Sequence, residues 1–261
     1  MKALSFISMA CCLFATALIS APADNGANRV PVLLELFTSE GCSSCPPADR
    51  LLEILDQKQP VAGADLIVLS EHVDYWDHLG WKDPFSSPQY TARQQDYTNK
   101  YNFDGVYTPQ LVVDGRFGFV GSDGREASAA IQKAIREQKI PIEISNVSRD
   151  GNQVTAHIEL HADENYKGGR AILYVAIADN RAESHVVRGE NAGRSLAHVA
   201  VTRVLKQLGT IELDSPSAKD VTLSVQPGAN GSRIVAFVQD PRSGHVLGVA
   251  VQKLQQKDTS R

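Results

Sequence analysis

Cysteine and net positive charge are both scarce in this sequence. Four cysteines in 261 residues are too few for a scaffold held together by disulfides, so any function they have must be local. The formal net charge of −4 and the pI near 6.0 leave no broad basic face, which argues against nucleic acid and membrane-surface partners. Internal repeats and low-complexity segments are lacking too.

The remaining composition is that of a globular protein. Hydrophobic residues make up 43% of the chain and charged residues 21%, which argues against a disordered chain, a collagen-like repeat or a coiled coil. A length of 261 residues allows one large domain or two ordinary ones. Two domains are the starting expectation.

The first residues have the pattern of an export signal. Lys2 supplies a positive end, an apolar run follows, and Ala21-Pro22-Ala23 gives a small-x-small cleavage pattern. Polar residues interrupt the run, which argues against a membrane anchor. We therefore expect residues 1–23 to be a signal peptide cleaved after Ala23, leaving a periplasmic or secreted protein without membrane contact.

Removal of this segment takes two of the four cysteines with it. Cys11 and Cys12 lie in the apolar run, so Cys42 and Cys45 are the cysteines of the mature chain. All thiol chemistry therefore falls on one Cys-x-x-Cys, in a compartment that permits disulfides.

Up to about residue 140 the hydrophobic pattern predicts an α/β unit. An apolar run from Val32 predicts a buried strand, helical spacing from Ala48 predicts a helix, and Leu66–Leu69 predicts a second strand. This order implies a parallel pair joined by a right-handed crossover. A helical insertion, a β-hairpin and another helix are expected over 71–105, 109–120 and 125–138.

Beyond Pro141 the pattern changes to short alternating segments separated by turn residues. We expect an all-β, sandwich-like domain over 141–261, the usual scale for that architecture. One stretch, residues 190–209, has no decisive pattern and fits a long loop, a strand or a short helix.

The cysteine pair lies between a predicted buried strand and an amphipathic helix. Free N–H groups and the positive end of the dipole at a helix start stabilise an anion, so we expect the Cys42 thiolate to be a good nucleophile and leaving group. Cys45 lies one turn further on, close enough to close a disulfide with Cys42.

Other uses of a Cys-x-x-Cys are weighed against this one. A c-type haem site needs histidine after the second cysteine, and Pro46 occupies that place, so haem is excluded. A closed zinc site would need further ligands, here from His72, His78, Asp74 or Asp77. An inert structural disulfide across the helix start also stays open.

At this point the sequence resembles the thioredoxin-like superfamily. The resemblance rests on the strand before Cys42–Cys45, the order of elements, and Thr108-Pro109 before the third strand. It implies a thioredoxin-like α/β domain over 24–140, with a helical insertion, followed by the β-sandwich-like domain over 141–261. It also implies that Pro109 is cis, lies against the disulfide, and presents a substrate segment together with Thr108.

A narrower resemblance covers nearly the whole mature chain. It rests on the motifs Glu35–Ala48, Glu71–Trp76, Tyr107–Gln110 and Arg188–Arg194. These are similar to a family of secreted bacterial proteins known only as domain of unknown function 1223. The resemblance brings no established substrate or activity.

Two further residues are candidates for supporting roles. Glu35, in an apolar strand seven residues before Cys42, resembles the buried acid that moves protons to the inner cysteine in thioredoxins; an edge residue facing water is the alternative. His72 follows the second predicted strand, where ligands gather in open α/β folds. It can stabilise the Cys42 thiolate, bind a metal, or simply face solvent.

The sequence therefore predicts a secreted thiol-disulfide oxidoreductase that needs no cofactor. Cys42 is the attacking thiolate, Cys45 is the resolving thiol, and the partners are protein thiols or disulfides. One alternative is a metal-handling protein in which both thiolates and His72 bind Cu(I) or Zn(II). The other is a binding module in which the disulfide is only structural.

Overall fold

A computed structural model of the chain describes residues 29–101, 105–226 and 233–254. The predicted signal peptide, residues 1–23, and its cleavage after Ala23 lie outside these ranges. Within the three ranges, every helix is too short or too polar to cross a bilayer.

Strands and helices alternate through the first half of the chain. In order they are β1 (Val30–Thr38), α1 (Pro46–Lys58), β2 (Ala64–His72), α2 (Pro88–Tyr101), β3 (Gln110–Val113), β4 (Phe117–Val120) and α3 (Gly124–Ala134). Prolines occupy the first positions of α1, where a helix N–H has no partner to lose. Asp123 caps α3 by accepting the N–H groups of Arg125 and Glu126.

The second half is built of strands. They are β5 (Ile142–Asp150), β6 (Gln153–Leu160), β7 (Arg170–His185), β8 (Ser195–Glu212), β9 (Ser217–Ser224), β10 (Arg233–Gln239) and β11 (Val246–Lys253), with a short 3-10 helix at Glu164–Tyr166. The stretch 190–209, undecided from sequence, is a loop up to Arg194 and then most of β8.

The described strands form two sheets. A large sheet of eight has the order β11-β10-β7-β8-β2-β1-β3-β4, and a small sheet of three has the order β5-β6-β9. β1 and β2 are parallel, as predicted. β2 also meets β8 in parallel, with Ser70 opposite Val201.

The predicted fold class, a thioredoxin-like α/β domain followed by a β-sandwich-like domain, is wrong. The chain is mostly β, and β7, β8, β10 and β11 continue the same sheet as β1–β4. The physical reason is the edge of β2 that faces away from β1. Its backbone groups need hydrogen-bond partners, and β8 from the second half of the chain pairs there. The boundaries 24–140 and 141–261 stay a prediction.

Alternate residues of β1 face opposite sides of the large sheet. Val32, Leu34 and Leu36 pack in one core cluster with residues of α1 and α3. Leu33 and Phe37 lie in the clusters on the other side, with α2 residues such as Tyr90 and Tyr97. The small sheet packs over another part of the large sheet, through a core shared with β7 and β10. The α1 side and the α2 side are therefore separate environments.

Candidate active site

The cysteine turn connects β1 to α1. Cys42 and Cys45 form a disulfide with Cα atoms 5.4 Å apart. Cys45 has helical backbone angles even though a proline follows it, and the first two residues of α1 are Pro46 and Pro47. The predicted pairing at a helix start is therefore present.

Neither cysteine is open to solvent. Cys42 and Cys45 are both 0% exposed, whereas Ser43 and Ser44 between them are exposed. The cysteine assigned as attacking and the cysteine assigned as resolving therefore do not differ in exposure in the disulfide form.

The turn is held by a segment from the second half of the chain, residues 186–194, here called the covering loop. Asn191 is buried, and its side-chain amide donates to the carbonyl oxygens of Glu40 (2.8 Å) and Cys42 (2.9 Å). The neighbouring Glu190 accepts the Ser43 N–H at 3.0 Å. The Arg188–Arg194 motif thus lies directly on the cysteine turn.

Trp76 links the cysteine turn to Thr108. A Cβ placed on Gly41 would lie 3.1 Å from the Cβ of Trp76, so the two backbones approach closely. The Trp76 indole N–H donates to the Thr108 hydroxyl at 2.8 Å. The Thr108–Pro109 peptide bond is cis, as the resemblance implies. Thr108 and Pro109 therefore both lie in the region of the turn.

A buried polar cluster lies behind the cysteine turn, on the α1 side of the sheet. We call it the histidine cluster; it contains His72, His198, Glu40, Asp49 and Asp83. Their side chains are 0% to 7% exposed. The two imidazole rings are 4.6 Å apart and nearly perpendicular.

His72 is paired within this cluster. Its Nδ1 lies 2.7 Å from the Asp83 carboxylate. Burial alone would raise the pKa of Asp83, but the charge and hydrogen bond of His72, with two backbone N–H donors, lower it. His72 is thus neither a loop residue facing solvent nor a direct hydrogen-bond partner of the cysteines.

His198 of β8 is the cation of the cluster. It lies 3.3 Å from the Glu40 carboxylate and 3.6 Å from that of Asp49. Burial alone would lower the pKa of His198, but these two carboxylates raise it to about 10. His198 is therefore an imidazolium at neutral pH.

Asp49 connects the cluster to the cysteines. It lies one helical turn after Cys45, and its N–H donates to the Cys45 carbonyl at 3.1 Å. Its carboxylate accepts the Thr38 hydroxyl at 3.0 Å. Since residues four apart share a helix face, Asp49 and the inner cysteine lie on the same face at the start of α1.

Glu35 lies elsewhere. It is buried, as the protonation hypothesis requires, but it points to the α2 side, where Arg93 and Tyr97 donate to its carboxylate. Because α1 packs on the other side of β1, the structure does not bring Glu35 to the cysteines.

Sequence reasoning missed most of the surrounding residues. The sequence does contain a signal for Asp49, because this acidic residue lies four residues after Cys45 in a predicted helix. Asn191 lay in the Arg188–Arg194 motif but had no assigned role, and His198 had no signal, because it lies in the stretch whose structure was undecided. Their contacts with the turn span about 150 residues and depend on the position of β8 in the sheet.

The metal-handling alternative requires a set of ligands. Among the residues that the model describes, no group of three or more His, Cys, Asp or Glu side chains is arranged to hold a metal ion.

Comparisons with known proteins give a family and a fold. A family model described as a protein of unknown function (DUF1223) matches residues 33–239. Protein AGR_C_4864 from Agrobacterium tumefaciens, a crystal structure, is 28% identical with a TM-score of 0.67, over 88% of this chain and 98% of that one. HBP35 of Porphyromonas gingivalis, 16% identical with a TM-score of 0.64 over 89% of this chain and 78% of that one, shows the fold alone. No curated protein matches the chain.

Proposed function

The chain belongs to the DUF1223 family of proteins of unknown function, and because that family supplies no activity, we propose from the site itself that the protein is a thiol-disulfide oxidoreductase. The observation that carries this proposal is the Cys42–Cys45 disulfide at the start of α1, backed by a buried acid-base cluster. A disulfide that only staples a turn does not need ionisable groups behind it, and burying them is costly.

The proposed reaction uses the two cysteines in sequence. The Cys42 thiolate attacks a substrate disulfide, forming a mixed disulfide and expelling one substrate sulfur as a thiolate, which takes up a proton. The Cys45 thiolate then attacks the Cys42 sulfur, and the second substrate sulfur leaves. The substrate gains two electrons and two protons, and the protein ends as the Cys42–Cys45 disulfide. Run in reverse, the same steps oxidise a substrate dithiol.

Asp49 is the proposed proton acceptor for Cys45. The thiol of Cys45 must lose its proton before it attacks, and Asp49 is the carboxylate one helical turn away. The imidazolium of His198 and the hydroxyl of Thr38 hold the Asp49 carboxylate in place. In this proposal Asp49 takes the role for which the sequence suggested Glu35.

The sequence-based predictions of localisation, substrate class and thioredoxin likeness are part of the same proposal. We propose that the protein works in the periplasm or outside the cell, on protein thiols or disulfides, after cleavage following Ala23. The likeness to thioredoxin-like proteins is proposed for the local unit of strand, cysteine turn and helix with Thr108-Pro109. Mass spectrometry of the exported protein should give an N-terminus at Asp24.

The function is tested by trapping substrates in the exporting compartment. A Cys45→Ala variant retains the attacking sulfur but cannot resolve the mixed disulfide, so it should accumulate covalent complexes with partner proteins. Cys42→Ala is the matched control and should accumulate few. Equal trapping by the two variants would contradict the assigned roles, and no trapping by either would contradict the function.

A structural disulfide is the second candidate function of the pair, favoured by one observation. Both cysteines are 0% exposed, which suits a staple that no substrate reaches. The two candidates differ in their response to dithiothreitol under native conditions. Reduction of the folded protein supports the oxidoreductase, whereas reduction only after unfolding supports the staple.

A further inference from the structure

Glu190 places a negative charge at the cysteine turn. Its carboxylate accepts the backbone N–H of Ser43 at 3.0 Å, directly between the two cysteines in sequence. This hydrogen bond lowers the pKa of Glu190, so the side chain is charged at neutral pH. The charged carboxylate therefore lies against the backbone that connects the two cysteines.

The turn has few other N–H donors for a thiolate. The N–H groups of Cys42, Cys45 and Ala48 already donate to backbone carbonyls. Pro46 and Pro47 have no N–H, so two positions that normally supply free donors at a helix start supply none. The remaining donors of the described turn belong to Ser44: its backbone N–H, and its hydroxyl, which lies 3.4 Å from the Cys42 sulfur.

Carboxylates also outnumber cations around the turn. Among the described residues, the carboxylates that contact the turn or belong to the histidine cluster behind it are those of Glu40, Asp49, Asp83 and Glu190. Facing them are His72 and His198, and Arg194, which donates to Asn191 in the covering loop. A thiolate formed here adds one more negative charge to this set. The environment therefore opposes the thiolate that the helix start alone would favour.

We propose that Glu190 biases the Cys42–Cys45 pair toward the disulfide, so that the dithiol form serves as a reductant of protein disulfides. This inference rests on the proposed function and adds the direction of the reaction, which is reduction of the substrate. A dithiol with a destabilised thiolate gives up two electrons more readily, because forming the disulfide removes the charge from this environment. Each turnover converts one substrate disulfide into two thiols. A dithiol electron donor in the same compartment must then reduce the Cys42–Cys45 disulfide.

The test measures the redox equilibrium of the purified mature protein in dithiothreitol buffers. Glu190→Gln keeps an oxygen that can accept the Ser43 N–H but removes the charge. It should shift the equilibrium constant about three- to tenfold toward the dithiol, about 15–30 mV at 29.6 mV per tenfold. Glu143→Gln, an exposed glutamate on β5, is the matched control and should leave the equilibrium unchanged.

Two further measurements separate charge from structure. Ser44→Ala removes the hydroxyl donor and should shift the equilibrium the opposite way, toward the disulfide. Because Glu190 is exposed, the effect of Glu190→Gln should shrink when the salt concentration rises from about 0.05 M to about 1 M. A change in folding alone predicts neither the opposite signs nor the salt dependence.

The experiment distinguishes failure of this inference from failure of the proposed function. A pair that exchanges with dithiothreitol but has the same equilibrium in wild type and Glu190→Gln overturns this inference and leaves the function standing. A shift of Glu190→Gln toward the disulfide also overturns it. A pair that exchanges in neither protein while folded overturns both proposals.

Discussion

Two buried polar clusters lie back to back across the same strands. On the α1 side, His72 belongs to the histidine cluster behind the cysteines, and Thr38 donates to its Asp49. On the α2 side, Glu35 and Glu71 surround Arg93 of α2. Alternation along β1 and β2 sends their side chains to opposite sides. Burial of an ionisable residue in a strand therefore does not by itself mark a functional group, because the side it faces decides what it can touch.

The α2-side cluster is closed on itself. Arg93 donates to Glu35 and to the Tyr97 hydroxyl, and its guanidinium lies about 5 Å from three aromatic rings. Burial, and next the nearby Glu35 charge, raise the pKa of Glu71 well above its ordinary value. Arg93 and Glu35 thus pair their charges within the core, whereas the histidine cluster adjoins the cysteine pair.

The largest expected effect is on the α2 side. Arg93→Met leaves Glu35 buried without its cation, so the free energy of unfolding should fall by about 3–5 kcal/mol. Urea denaturation measures this. Arg181→Met, which removes an exposed partner of Glu53, is the control and should leave the free energy of unfolding little changed. A large change in the redox equilibrium of folded Arg93→Met would instead couple this cluster to the cysteines.

The next effect concerns pH and the α1 side. The pKa of His198 is raised to about 10, so its contribution to stability is fully present below about pH 6.5 and is lost as pH rises through about 10. Between these two pH values, His198 makes the free energy of unfolding fall by up to about 1.4 kcal/mol for each unit that the pH rises. His198→Gln should lose that slope. Unfolding free energies measured from pH 6 to 10.5 test this, and identical profiles would mean that His198 is not charged.

A third measurement compares one carboxylate from each side. Asp49→Asn should slow the attack of Cys45 on a mixed disulfide about ten- to a hundredfold, because it removes the proposed proton acceptor. Glu35→Gln should leave this rate little changed in the folded protein. Stopped-flow release of a labelled peptide thiol from Cys42 measures both, with Glu53→Gln, also on α1, as control. If Glu35→Gln slowed this step more than Asp49→Asn, Glu35 would be the proton acceptor, as the sequence first suggested.

The smallest effect concerns the link between the cysteine turn and Thr108. Trp76→Phe keeps the aromatic packing but loses the indole N–H bond to the Thr108 hydroxyl, which should cost about 1 kcal/mol of unfolding free energy. Thermal and urea denaturation check this. In a Thr108→Val background the same substitution should cost less, and an undiminished loss would place the energy in packing rather than in that hydrogen bond.

Local patterns predicted local structure in this chain. The parallel β1–β2 pair, the hairpin at Asp114-Gly115 and most strands of the second half all follow from hydrophobic spacing and turn residues. The cysteine pair at a helix start followed in the same way. These features depend on residues close in sequence, which is the information that periodicity carries.

The errors have a shared cause in long-range pairing. Nothing in the alternation of β8 indicates that its Val201 pairs with Ser70 of β2, yet that pairing merges the two predicted units into one sheet. It also brings Asn191 to Cys42, and His198 to Glu40 and Asp49. Glu35 was assigned to the wrong neighbours because a strand's pattern shows that a side chain is buried without showing which helix covers it.

The position of β8 also determines how far this chain can be shortened. A fragment ending at residue 140 would contain both cysteines but would lack His198, Asn191 and Glu190. It would also leave the backbone of β2 without the β8 partner at Ser70, an open edge of the kind that promotes aggregation. The cysteine turn is therefore not a portable module: transplanting it with its proposed function into another protein would require β8 and the covering loop before it, more than half of the primary structure away.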